Sequence, residues 1–214
     1  MIHDMALLYR AEVRPTKLEL LASWLPGQAW FQGEADATPE RVAAYRFDDP
    51  AGQVGIETLL VRAGAGPIHQ VPLTYRDAPL DGAQGWLVGT MEHSVLGRRW
   101  VYDACGDPVY GAALATAVLT GTGQAEEYFD VDGRRELRAP SMAIAADGPR
   151  LAAVPPVGSI DRVEHGDLTR IVCGSVELTV LRRPGEHSGL PGSRLTGSWA
   201  GQQTALPLAY VSLR

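Results

Sequence analysis

Lysine is almost absent from this chain: Lys17 stands alone against eighteen arginines in 214 residues. Any mechanism that needs a lysine must therefore use Lys17 or fail. Cysteine is nearly as scarce. Cys105 and Cys173 lie far apart and form no C-x-x-C, so zinc-ribbon and thioredoxin-type chemistry is excluded and two thiols fit a reducing compartment. Whether they pair is left open by spacing alone. A net charge of −6 gives no electrostatic support for a nucleic-acid or anionic-membrane partner. No run approaches the roughly 20 apolar residues a membrane span requires. Met1 to Arg10 lacks the basic start and apolar core of a signal peptide, so a cytoplasmic protein is expected.

Several reaction classes are missing too. G-x-S-x-G does not occur. A Walker-type G-x-x-x-x-G-K-[ST] is impossible, because Thr16 precedes the single lysine and Leu18 follows it. Gly121-Thr-Gly123 precedes a strand pattern, so it offers no helix N-terminus to a pyrophosphate. The arginine pairs Arg98-Arg99, Arg134-Arg135 and Arg182-Arg183 sit beside turns or strand ends, where solvation explains them.

The remaining residues, 45% of them apolar, fit a packed globular chain of mixed class. Met5 to Val13 alternates as a strand, and Thr16 with Glu19 forms a capping box for a helix carrying Leu18, Leu21 and Leu25 on one face. Pro26-Gly27 stops that helix. Strand patterns follow at 42–47, 54–63, 68–75, 86–93 and 99–103, separated by Asp/Gly/Pro turns, and predict a meander. Asp107-Pro108 is a helix start, with the helix ending at Gly121. Asp132-Gly133 predicts a hairpin, residues 139–158 are rich in proline and partly irregular, and hairpins at Gly174 and Ala200-Gly201 complete the chain. The fold class is α+β, mostly antiparallel β meanders with two main helices.

Residues 54–110 hold the densest chemistry: Glu92, His93, Asp103, Cys105 and Asp107 crowd together. These types bind metals, yet the spacing matches no zinc pattern, and Asp107 already has a task as helix cap. His187-Ser188 lies in a Gly/Pro loop, and Glu126, Glu127, Asp130 and Asp132 flank a hairpin as turn acids. No catalytic residue, cofactor or metal is assigned. The contact candidates are Trp30 and Phe31, a loop pair able to stack on a sugar or a partner.

The order of the pieces resembles the N-terminal cap of bacterial maltokinases. The resemblance rests on Met5–Leu18, Tyr45–Pro50, Val54–Val61, Gln70–Leu80, Val88-Gly-Thr90, Leu96-Gly-Arg-Arg-Trp-Val-Tyr-Asp103 and Asp107-Pro-Val-Tyr110, and it spans about residues 5–125. In that family the cap precedes an aminoglycoside-phosphotransferase-like kinase. Val176-Glu-Leu-Thr-Val-Leu-Arg-Arg183 is similar to the kinase N-lobe strand that bears the ATP-binding lysine, with Thr179 at the matching position. The sequence in hand holds no counterpart of the catalytic lobe. The resemblance implies a cap-like subdomain at 1–90 and a degenerate N-lobe-like subdomain at 91–214. It implies a non-catalytic module of maltose, trehalose or α-glucan metabolism, with a partner enzyme or self-association. The alternatives are a carbohydrate or small-molecule binding module and, more remotely, an enzyme of glucan metabolism.

Overall fold

A computed structural model describes residues 7, 8, 12–131, 134–187 and 189–214. The expected first strand is two short pieces, β1 (Leu7–Leu8) and β2 (Val13–Arg14); residues 5, 6 and 9–11 lie outside the described residues. Helix α1 (Lys17–Trp24) begins as its sequence dictates. Thr16 Oγ1 accepts from the Glu19 N–H at 3.3 Å, and Glu19 Oε2 accepts from the Thr16 N–H at 2.6 Å. Leu21 and Leu25 are fully buried beneath it.

Strands β3 (Pro39–Phe47), β4 (Gly55–Ala63), β5 (Ile68–Arg76), β6 (Leu87–His93) and β7 (Gly97–Asp103) join β2 in an antiparallel sheet of order β2-β6-β7-β5-β4-β3. The simple meander is corrected here. β3, β4 and β5 follow one another, but β7 and not β6 pairs with β5, with Leu73 opposite Asp103. The ten residues from Asp77 to Trp86 carry the chain past β7, and Tyr102 Oη accepts from the Leu80 N–H at 2.9 Å to hold that crossing.

Helix α2 (Pro108–Thr120) follows, capped by Asp107 and closed at Gly121, whose φ of 74° is the left-handed conformation a glycine adopts without strain. Strands β8 (Tyr128–Val131) and β9 (Arg134–Leu137) pair antiparallel, while β8 also pairs parallel with β1. The Asp132-Gly133 turn between them lies outside the described residues. A second antiparallel sheet contains β10 (Met142–Asp147), β11 (Arg162–Glu164), β12 (Leu168–Cys173), β13 (Val176–Leu181), β14 (Ser193–Trp199) and β15 (Gln202–Leu213) in the order β10-β14-β15-β13-β12-β11. Thus β10 lies within the proline-rich stretch expected to be partly irregular. Its exposed residues alternate with partly buried ones, which suits an edge strand. Two main helices on mostly antiparallel sheets make the class α+β.

Two cores hold the layers. Leu114 of α2 packs with Leu178 and Leu195 of the second sheet and with Tyr45, Ile56 and Leu60 from one face of the first. On the other face of that first sheet, Leu59, Val61, Leu73 and Val101 pack against Leu21 and Leu25. Strand β4 is therefore covered on both sides, which is why its sequence reads as a nearly continuous apolar run. Burying each of these leucines contributes about 1.5–3 kcal/mol against the entropy of ordering the chain. Among the described residues no helix is long and apolar enough to cross a membrane.

Candidate functional site

The acidic and aromatic stretch at 92–107 resolves into separate structural contacts. Exposed Glu92 pairs with Arg98 at 2.7 Å, and His93 Nδ1 accepts from the N–H groups of Val95 and Leu96 in a turn. Asp107 receives a two-pronged contact from Arg76, at 2.7 and 2.8 Å, while also accepting from the Val109 N–H at the start of α2. Cys105 is buried and burial pushes its thiol well above the ordinary range; Cys173 is likewise buried, and the two are free thiols. Among the described residues no group of three acid, histidine or cysteine side chains is placed to hold a metal.

Asp103 has the most consequential partner. Its carboxylate accepts from Arg182 Nη2 at 2.6 Å, and both side chains are at most 1% exposed. Asp103 ends a strand of the first sheet, whereas Arg182 follows β13 of the second, so the pair fastens one sheet to the other. Gln70 adds to the seam. Its Nε2 donates to the carbonyls of Leu181 and Leu208, and its backbone N–H donates to the Arg182 carbonyl at 2.7 Å. Arg182, expected among solvated strand-end arginines, is instead wholly buried. Charge pairing, a 2.9 Å bond from its Nε to Thr169 Oγ1 and an aromatic face 4.4 Å away offset the desolvation.

That aromatic face belongs to Trp30. The indole is 2% exposed, enclosed by Arg182, His69 and Trp24, the last two at ring separations of 5.8 Å. Phe31 is half-buried against His69 at 5.0 Å. The two aromatics are thus structural neighbours of the sheet seam, and Trp30 offers no exposed stacking face. Thr179 is buried in β13, opposite Arg170 on one side and Tyr210 on the other. In the Gly/Pro loop His187 has a φ of 54°, and Ser188 lies outside the described residues.

The single lysine is also committed. Lys17 donates to buried Glu57 and lies 5.1 Å from the Tyr75 ring centroid, while Tyr75 Oη donates to the same carboxylate at 2.9 Å. Burial pushes the Glu57 carboxyl up, but attraction from Lys17 and Arg46 and these hydrogen bonds outweigh it and hold it at about 2 against an ordinary 4.5. His69 moves down from 6.5 to about 4, through burial and then the positive charge of Arg183, and its Nε2 accepts from the Gln32 N–H at 3.1 Å. Both groups take up protons more readily in the unfolded chain. Stability from neutral His69 is therefore complete above pH 6.5 and lost as pH falls toward 4. Stability from ionised Glu57 is complete above pH 4.5 and lost as pH falls toward 2. Urea midpoints measured against pH should lose their slope in the upper window for His69→Gln and in the lower one for Glu57→Gln; slopes like the parent's would refute these assignments.

One cavity of about 390 Å³ brings polar groups together without pairing them all. It lies along β3, the outer strand of the first sheet, where two later segments cover the open edge. Ser141 Oγ accepts from the Ala44 N–H at 2.9 Å and donates to the Ala44 carbonyl at 3.0 Å, while the Ala125 N–H donates to the Arg46 carbonyl at 2.9 Å. Arg46 and Glu57 reach the cavity from the sheet, and Gln124, Glu127 and Arg138 reach it from the covering segments. Arg138 donates to Glu127 Oε2 at 2.9 Å. Arg46 Nε is 4.0 Å from Glu127 Oε1, beyond hydrogen-bond reach, and is buried without an acceptor; Gln124 Oε1 is buried without a donor. No local pattern announced this site, because its walls come from positions about 80 residues apart. The turn acids Glu126 and Glu127 are the members that the sequence pattern singles out.

Comparison with known families gives a match over residues 24–107 to the maltokinase N-terminal cap domain. It falls inside the 5–125 stretch that carries the motif resemblance, and covers β3 to β7 as far as the capping Asp107. No curated protein matches the chain. Arg46 and Glu57 lie within the matched segment, whereas Gln124, Glu127 and Arg138 lie beyond it.

Proposed function

We propose that this chain, similar over residues 24–107 to a maltokinase cap, is a non-catalytic binding or regulatory module of maltose, trehalose or α-glucan metabolism. It acts on a partner enzyme of that metabolism or through self-association. The observation that carries this reading is the fate of the single lysine. Phosphoryl transfer depends on positive charge held against the triphosphate by lysine and metal. Here Lys17 neutralises Glu57 on the cap, and Thr179 occupies the strand position where the resemblance places the kinase lysine. A buried hydroxyl brings no charge to a phosphate. On this reading residues 1–90 are the cap-like part and 91–214 a degenerate N-lobe-like part that supports it.

The test pairs capture with activity. The tagged chain should enrich an enzyme acting on maltose, trehalose or an α-glucan, and adding purified chain should change that enzyme's rate. Alternatively, the chain should sediment as a defined oligomer. Transfer of phosphate from magnesium-ATP to maltose by the purified chain would overturn the proposal, as would a monomer that alters no such enzyme. A second reading, direct binding of a carbohydrate or other small molecule, is supported by the cavity of about 390 Å³ beside β3.

A further inference from the structure

We infer that residues 149–160 form a strap that opens locally from α2, and that the groove beneath it accepts an extended, proline-containing peptide of the strap's own pattern. Helix α2 is apolar on nearly every side, and among its residues only Thr116 is exposed. Such a helix needs cover all round. The two sheets supply most of it, and the segment between β10 and β11, which has no helix or strand of its own, supplies the rest. Leu151, Val154, Val157 and Ile160 pack from that segment onto the core, whereas Ala152, Ala153, Pro156, Gly158 and Ser159 between them are exposed. A spacing of three is the period of a polyproline-II helix, and Pro155-Pro156 sits at its centre.

Two contacts set the strap antiparallel to α2. The Leu151 N–H donates to the Leu119 carbonyl at 2.7 Å, in the last turn of the helix. In the first turn, a Cβ added to Gly111 would fall 3.3 Å from Val157 Cγ1, so glycine leaves the room that the strap occupies. Both ends are tied. Arg150 lies over Gly121, beside the carbonyl end of the helix where a cation is favoured. The Asp161 N–H donates to the Val172 carbonyl at 2.8 Å, and its Oδ2 accepts from the Gly174 N–H at 2.7 Å. Between the ends the hold is thin. Among the described residues one backbone hydrogen bond joins 151–160 to the rest of the chain, whereas β12 and β13 carry full ladders. A segment held by few backbone bonds and half-buried side chains opens before the whole fold does. The groove it uncovers fits apolar residues at every third position, and prolines keep such a peptide extended at little entropic cost. The strap is the internal competitor for that groove.

Cys173 reports the opening. Its Sγ lies 3.8 Å from the same point beside Gly111 that Val157 approaches, while Cys105 is buried beside the Asp103–Arg182 pair at the seam. Thiol labelling of the full chain should modify Cys173 at least about tenfold faster than Cys105. Urea should raise the Cys173 rate little and the Cys105 rate steeply, because only global unfolding exposes much surface. Val157→Ser should raise the Cys173 rate by about a further tenfold. A fluorescein-labelled synthetic peptide of residues 149–161 should bind that variant saturably. It should bind the parent at least about tenfold more weakly, because the tethered strap competes. Pro155→Gly with Pro156→Gly keeps all four apolar anchors and serves if Val157→Ser fails to fold. Only purified chain and peptide are needed, so failure here would leave the enzyme-capture test of the proposed role standing. The inference is overturned if both thiols react at one rate with one urea dependence. It is equally overturned if a folded variant fails to bind the peptide at about 1 mM, or if a peptide with serine at the four apolar positions binds as well.

Discussion

Arg182→Met should lower the free energy of unfolding by about 3–5 kcal/mol in urea titrations, because it strands the Asp103 carboxylate inside the protein without its partner. The Asp103 side chain is 1% exposed and receives its charge-assisted bond from Arg182 at 2.6 Å. Water has no access to replace that bond. Replacing both partners, as Asp103→Asn with Arg182→Met, should recover part of the loss, since the charge that needs pairing is then gone. A single-mutant loss below about 1 kcal/mol would place the pair in the class of solvated surface bridges and sink the account of the sheet seam. The seam makes the prediction large. Gln70 and Arg182 tie backbone of one sheet to the other, so disturbing this region loosens two packed layers at once.

Trp30→Ala should cost a similar amount, about 3–5 kcal/mol, measured in the same way. The indole fills space between Trp24, His69 and Arg182, and alanine would leave a cavity among these packed side chains. Because Trp30 contacts Arg182 directly, the two effects should not add. In a double-mutant cycle the combined loss should fall short of the sum by at least about 0.5 kcal/mol. Additive losses would show that the 4.4 Å contact carries no energy. The same result guards the interpretation of binding data. A ligand whose affinity falls in Trp30→Ala reports a loosened fold, because the indole is 2% exposed and offers no face to stack on.

The seam and the cavity lie on different parts of the first sheet. Asp103 and Gln70 act from β7 and β5 toward the second sheet, whereas Arg46 and Ala44 act from β3 at the open edge. Glu57 stands one strand in from that edge, where it meets both Lys17 from α1 and the cavity. The carboxylate that anchors α1 therefore also lines the cavity. This short path links the cavity to α1 through contacts already present.

Local signals along the chain were enough to place most of its elements. Thr16 with Glu19 and Asp107 with Pro108 mark helix starts because capping joins residues two to three positions apart, and Gly121 marks a stop because its backbone adopts a positive φ. Apolar patterning between turn residues marked the strands, and residues 24–107 match the maltokinase N-terminal cap domain. Tertiary structure alone decided that β7 lies beside β5, that Trp30 is interior, that Arg182 is buried with Asp103, and that Arg46, Gln124 and Glu127 share one cavity. The reason is range. A cap or a turn is written in neighbours a few residues apart, but a pair separated by 79 residues leaves no periodic trace, and its burial depends on which faces two sheets turn toward each other. The sequence by itself therefore determined most of the elements and their likeness to that cap domain, and packing determined which polar side chains were sealed between the sheets.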